Sequence, residues 1–411
     1  MPTNDSTLAI GPRLKRARQA QGMSLQQVAD RLARPITRAA LSKYERGETV
    51  PRADRLVELG RVLGLPGSHF LEPPDGPDDR VEWLAHRKHS TLGKRQGERI
   101  QARAELSAGA YHRLLDLLHP REETRFPRPQ SASTLHDAEE AAEALRARWE
   151  LGGGPIESVV SCAEDAGALV LSWNDPARFD AISGRTGSGR PVIVLNLGCA
   201  DDRRRFNIAH EFGHLVLETD SLEPREEENL AQRFAAAFIV PREAAYRELG
   251  RRRARITLAE LEHLKTKYGF SMQAWTRRAR DLGIITERTY RSWQLWFRSQ
   301  DLRVRESADY LGHEMPNRLR ILAIQALAEG LVDRTWVKTF CPDAVEQVID
   351  DAQDSTLRNL LRKPAHERHK ALEEAAANAS GHYTNDPEVA EFLAFDDAPE
   401  EDDAPPSSPQ R

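Results

Sequence analysis

The sequence predicts a mainly α-helical protein with a small α+β domain near its middle and a separate all-α domain at its N-terminus. Three observations carry this. Residues 11–71 form a string of short, capped segments with apolar stripes at helical spacing. Two β-branched apolar runs, Ala168–Trp173 and Val192–Asn196, are bounded by Gly, Asp and Pro and read as strands within an otherwise helical region, 136–246. After Pro241 the pattern is helical again to about Ser380.

The elements follow in order. A first helix, Pro12 to Gln21, puts Leu14 and Ala17 on one face and stops at Gly22. Ser24 caps a second, with Gln27 completing a capping box and Val28, Ala29 and Leu32 as the apolar face. Thr37 caps a third, whose Leu41 and Tyr44 point inward before Gly47. A fourth runs from Pro51 to Leu63 with Leu56, Leu59 and Leu63 at helical spacing and Gly64 as stop. Pro73–Pro77 is a linker. Residues 79–119 read as amphipathic helix, Pro120–Pro129 as a break, and Thr134–Trp149 as helix ended by Gly152–Gly154, with Pro155 at the first turn of the next helix. The stretch from Asp396 onward is acidic, proline-rich and too poor in apolar residues to fold. The boundaries expected are 1–73, 74–130 (a helical connector), 131–246, 247–350 (helical), 351–395 (a helical extension) and 396–411 (an acidic tail). No internal repeat is visible.

At 411 residues, with 39% hydrophobic and 30% charged composition, the chain is that of an ordinary globular protein of several domains. Its net charge of −5 is unevenly spread: residues 1–73 hold twelve Lys/Arg against seven Asp/Glu, the sign expected of a phosphate-facing module. From Asp386 on there are nine acids and only Arg411. Cys162, Cys199 and Cys341 form no Cys-x-x-Cys pair, which argues against a disulfide framework and a thiolate zinc site. With no secretory pattern at the start and no apolar run near a membrane span, the expected location is the cytoplasm, with no membrane partner.

The chemistry concentrates in His210-Glu211-Phe212-Gly213-His214. Two histidines four apart on a helix project from one face and can bind one tetrahedral metal, while Glu211 lies beside it, placed to take a proton from a water there. The alternative, a surface helix with two solvated histidines, fits poorly with Phe206, Ile208, Ala209, Phe212, Leu215, Val216 and Leu217 around the motif. Polar groups on so apolar a helix need partners. A third ligand is expected from Glu226-Glu227-Glu228, which opens a second apolar helix ending at Pro241. Glu228 shares a face with Ala231 and, approximately, Ala235, small residues that let the two helices lie close; Glu227 is the rival ligand, and Glu226 serves the helix dipole.

The segments RFNIAHEFGHLVLE and EENLAQRFAAAFIVP together resemble the ImmA/IrrE family of metallopeptidases. The resemblance extends to AAEALRARWELGGGPIESVV, FDAISG and PVIVLN upstream and to LAELEHLKTKYGFSMQAWTRRARDLGII downstream, covering most of residues 130–300. Gln232 departs from the family's commoner Asn. The resemblance implies a zincin-like α+β domain. It also implies His210, His214 and Glu228 as ligands of Zn2+ (Mn2+ as the alternative), Glu211 as catalytic base, and a helix-turn-helix-like segment after the catalytic domain.

Residues 11–71, through MSLQQVADRL and TRAALSKYERGETVPRADRLVELGRVLGL, resemble the phage-repressor (Cro/C1, or XRE) helix-turn-helix class. In such folds the third helix enters the major groove. Thr37, Arg38, Ala39, Ser42 and Lys43 are then the candidate readers of double-stranded DNA, with Arg38 for guanine and Lys43, Arg46 or Arg52 for phosphate. The turn Ala33–Ile36 is about two residues longer than usual, and Leu25 stands where Gln is common.

The expectation is a DNA-bound regulatory metalloendopeptidase that cuts a protein, a repressor above all, or itself. Two alternatives are carried: a regulator whose peptidase-like domain only senses a metal or ligand, and an antitoxin-like protein whose segment 354–395 covers a toxin-like partner. A homodimer is usual for helix-turn-helix proteins.

Overall fold

The computed structural model describes residues 4–71, 80–84, 93–120, 122–175, 179–219, 221–302, 306–342 and 370. The extension 351–395 falls outside these, save Lys370, and the acidic tail entirely so. All but Lys370 lie in one compact unit, Met1–Val345.

The N-terminal domain comprises α1 (Asn4–Ala20), α2 (Leu25–Arg31), α3 (Arg38–Glu45), α4 (Ala53–Leu63) and a 3-10 turn (Gly67–Leu71). Ser24 and Gln27 form the expected capping box, Thr37 caps α3 through the Ala40 amide, and Gly64 ends α4 in the left-handed region. Helix α1 begins earlier than Pro12, which lies inside it. Gly11 is needed there: a Cβ would stand 2.6 Å from the Glu45 carbonyl, so only glycine lets α1 cross the end of α3. Leu14, Val28, Leu41, Leu56, Leu59 and Phe70 fill the core.

The central region is built on a sheet of β1 (Val81–Trp83), β3 (Leu169–Trp173), β4 (Ala181–Thr186) and β5 (Pro191–Asn196), in the order β1-β4-β5-β3. β3 and β5 run parallel, while β4 pairs antiparallel with both β5 and β1. A second, two-stranded sheet joins β2 (Gln130–Ser131) to β6 (Leu217–Glu218). Both faces of the larger sheet are covered, as its unbroken apolar β5 requires. Ile193 and Leu195 face one core; Val192 and Val194, alternating with them, face the other.

The first core holds α6 (Leu135–Arg148), α7 (Val159–Asp165), α8 (Asp201–Val216), α9 (Pro224–Ile239), α10 (Arg242–Leu249), α11 (Leu258–Tyr268), α12 (Met272–Asp281) and α13 (Glu287–Ser299). The second holds α5 (Lys94–Leu118), α14 (Arg318–Ala328) and α15 (Arg334–Phe340). The protein is mainly α with a small mixed domain, as the sequence predicts.

Four local expectations change. Part of 79–119 is strand β1, so the connector contributes to the sheet as well as α5. Strand β4 was hidden by Gly184, where a Cβ would stand 2.6 Å from the Glu82 carbonyl; that glycine admits β1 rather than breaking the strand. Pro155 lies in a loop, and α7 starts at Val159 under the Ser158 cap. Residues 306–317 are not helical but form an irregular strap. The strap's Glu306 accepts hydrogen bonds from the Met272 and Gln273 amides at the start of α12. Its Glu314, fully buried, accepts from the Val159 and Val160 amides, Ser158 Oγ and Arg205. Beyond the strap, α14 and α15 pack on the far face of the sheet, away from α11–α13. Among the described residues no helix is long and apolar enough to cross a membrane.

Candidate metal centre and nucleic-acid interface

Helix α8 carries the motif, and α9 lies against it. The approach is set at Gly213, where a Cβ would stand 2.9 Å from the Cα of Ala231. This contact brings the first turn of α9 to the histidines. His210 Nε2 lies 3.0 Å from Glu228 Oε1 and 3.2 Å from His214 Nε2. The ligand atoms of His210, His214 and Glu228 all fall within 4.8 Å of one another.

That donor set fits a tetrahedral ion. Bonds of about 2.0–2.1 Å require neighbouring donors about 3.3 Å apart, close to the 3.0 and 3.2 Å from His210 Nε2 to the other two donors. Two imidazole nitrogens facing each other and a carboxylate oxygen are the borderline ligands that zinc takes.

Glu227 stands elsewhere, with Oε1 3.2 Å from His214 Nδ1, the ring atom turned away from His210. A carboxylate in that position orients the ring and sets its tautomer. Glu226 belongs instead to the capping box of α9 with Glu223.

Glu211 is 5% exposed, and its Oε2 accepts a 2.5 Å hydrogen bond from Ser183 Oγ. Ser183 is fully buried on β4. From the same strand Arg185 donates to the Leu215 carbonyl at the end of α8. The strand missed in the sequence therefore holds both the motif helix and its carboxylate.

In the N-terminal domain, Thr37, Arg38, Ala39 and Lys43 are exposed along the start and outer face of α3, and Arg52 is exposed at the start of α4. Ser42 is half-buried. Arg46 is engaged: its guanidinium donates to Glu48 at 2.5 Å and to Ser42 Oγ, and Glu48 holds it above its usual range. Helix α3 is tied to α1 by Arg18, which grips the Glu45 carboxylate with two bonds of 2.6 and 2.8 Å.

Comparison with known proteins matches both regions. Residues 14–70 fit the family model for a helix-turn-helix, and residues 166–280 fit that for the IrrE N-terminal-like domain of the M78 peptidases. Over 75 residues the chain is 36% identical to the SPbeta prophage-derived uncharacterized HTH-type transcriptional regulator YonR of Bacillus subtilis (strain 168), covering 68% of that protein and 18% of this chain.

The chain belongs to the helix-turn-helix family.

It is also 36% identical over 76 residues to the HTH-type transcriptional regulator PuuR of Escherichia coli (strain K12), and to that of Shigella flexneri. Those matches cover 40% of each relative and 18% of this chain, so the resemblance to them is confined to part of each protein. This helix-turn-helix protein carries the M78 peptidase-family domain behind its helix-turn-helix module.

A cleft of about 1290 Å³ runs from the N-terminal half of α8 along α9 and α12. Its wall includes Phe206, Asn229, Gln232, Arg277, Tyr290 and Leu311. It is not the metal centre itself, since none of His210, Glu211, His214 and Glu228 lines it. It reaches the centre's edge at Phe206, whose ring lies 6.4 Å from that of His210. No periodicity in the sequence marks this cleft, because its walls come from segments more than 100 residues apart.

Proposed function

We propose that this helix-turn-helix protein is a DNA-binding regulatory zinc metallopeptidase that cuts a regulatory protein, a repressor above all, or itself. The reading rests most on one observation: His210 Nε2 lies 3.0 Å from Glu228 Oε1 and 3.2 Å from His214 Nε2, beside a buried, hydrogen-bonded Glu211. His210, His214 and Glu228 would hold the ion, Zn2+ by donor type and Mn2+ as the alternative. When bound, the metal polarises a carbonyl and lowers the pKa of water to about 7.

The chain's own residues do the rest. Ser183 Oγ fixes Glu211 Oε2, which leaves Oε1 to take a proton from the attacking water and return it to the departing amine. Glu227 keeps the His214 ring in place. The cleft beyond Phe206 sets aromatic, apolar and amide groups among six basic and six acidic side chains, suited to a peptide segment of mixed character. Thr37, Arg38, Ala39, Ser42, Lys43 and Arg52 would read and grip duplex DNA, with Arg46 joining only when it leaves Glu48. Residues 1–73 then act as the DNA-binding domain and 131–246 as the peptidase domain, and a homodimer would match paired half-sites.

The test compares new protein N-termini in cells producing the wild type or Glu211→Gln, with and without stress. A terminus inside a DNA-binding protein, absent with the variant, identifies the substrate. A terminus only within this chain makes self-cleavage the activity. Matching profiles under every condition would refute a peptidase.

A further inference from the structure

We propose that helix α5, outside the helix-turn-helix module, adds a binding subsite for a duplex-DNA backbone phosphate through Lys94 and Arg95. The inference rests on the DNA-binding reading above and extends its footprint. In a helix-turn-helix, the helix before the recognition helix crosses the phosphate backbone. Here that helix is α2, and its first turn is not bare: the N-terminus of α5 lies against it.

A cavity of about 440 Å³ separates the two, lined in part by Arg18, Ser24, Lys94, Arg95, Glu98 and Arg99. Arg95 Nη2 donates to the Gly22 carbonyl at 2.8 Å and reaches Gln27 Oε1 at 3.5 Å. That same Gln27 oxygen accepts from the Ser24 amide at 2.8 Å, so the guanidinium sits on the capping box that opens α2.

Not all of the cavity's cations are available. Arg18 is neutralised by Glu45, and Arg99 holds the Asp175 carboxylate with bonds of 2.6 and 2.8 Å. Lys94 is exposed and has no partner among the described residues, and Arg95 bonds only neutral oxygens. Among the described residues that line the cavity, Glu98 is the only acid. Two cations that form no ion pair, set against the one carboxylate of Glu98, thus stand where a backbone would pass. Arg99 and Asp175 anchor α5 to the sheet region, and Arg16 pairs with Glu105 at 3.0 Å, so a phosphate held by Lys94 and Arg95 engages both modules at once.

The experiment measures full-length protein binding a random-sequence duplex of about 30 bp by fluorescence anisotropy, over a range of salt. Each lost phosphate contact removes about 0.9 from the slope of log K against log salt. Lys94→Ala and Arg95→Ala are each expected to lower the slope by about that much, which weakens the salt response about 3-fold between 50 and 200 mM. Lys43→Ala should do the same, while Lys338→Ala, an equal loss of charge on α15, should leave the slope unchanged. Because Arg95 also contacts Gly22, Lys94→Ala carries the test if Arg95→Ala melts early. A wild-type slope in Lys94→Ala, with Lys43→Ala reduced, would overturn the subsite while DNA binding stands. A wild type that binds no duplex would bring down the DNA-binding reading and the subsite together.

Discussion

Gly213→Ala probes how the metal centre is assembled. A Cβ at this position would lie 2.9 Å from the Cα of Ala231, 3.2 Å from its Cβ and 3.3 Å from its carbonyl oxygen. Carbon atoms pack at about 3.5–4.0 Å, so α9 must retreat by about 0.6–1 Å. Glu228 lies three residues before Ala231 on the same face of α9, while His210 and His214 ride on α8. The retreat therefore opens the carboxylate–imidazole spacing by several times the roughly 0.2 Å that a coordination bond tolerates.

Two effects set the stability cost. Overpacking a core costs about 1–3 kcal/mol, and replacing a helical Gly by Ala returns about 1 kcal/mol. The apoprotein should then lose only about 0–2 kcal/mol, whereas zinc affinity should fall about 10- to 100-fold, as when a metal site's support is disturbed. Competition with a chromophoric chelator measures the affinity, and urea unfolding of the apoprotein measures the stability. A variant that binds zinc as tightly as the wild type would show that the Gly213–Ala231 contact does not set the ligand geometry.

Further outcomes follow from the same structure. Glu314→Gln leaves the fully buried Arg205 without its charge partner and weakens the cap on α7; urea unfolding should show a loss of about 3–5 kcal/mol, and a loss below about 1 kcal/mol would contradict the strap's structural role. Burial pushes the Glu164 carboxyl up to about 7, against the pull of the Arg318 and Asn317 amides. The native state therefore keeps a proton there that the unfolded chain releases above about 4.5. This contribution is complete below that pH and lost as pH rises through about 7; Glu164→Gln should flatten that slope in unfolding measured from pH 4 to 8. Gly11→Ala drives a methyl into the Tyr44 and Glu45 carbonyls; a loss of about 1–3 kcal/mol and weaker duplex binding are expected from thermal melts and anisotropy.

Local signals account for much of what could be read in advance. Ser24 with Gln27, Thr37 and Gly64 mark helix ends because capping is a matter of residues three or four apart, and each is found as a cap. The motif pair His210 and His214 lies on one helix for the same reason. Strands fared unevenly. Val192–Leu195 is apolar throughout, whereas Ala181–Thr186 carries Ser, Gly and Arg, and its Ser183 and Arg185 bond to α8.

What the sequence determined alone was the order of modules, the helix caps and the metal motif, since these depend on neighbours along the chain. The tertiary structure decided what distance in the chain conceals. It brought Ser183 to Glu211 across 28 residues, turned Glu227 to the far side of the His214 ring and Glu228 to the near side, and ran residues 306–317 as a strap instead of a helix. The physical reason is the same in each case. A carboxylate next in sequence to another differs from it only by about 100° of helical rotation, and which one meets the ligands depends on how closely Gly213 lets α9 approach α8.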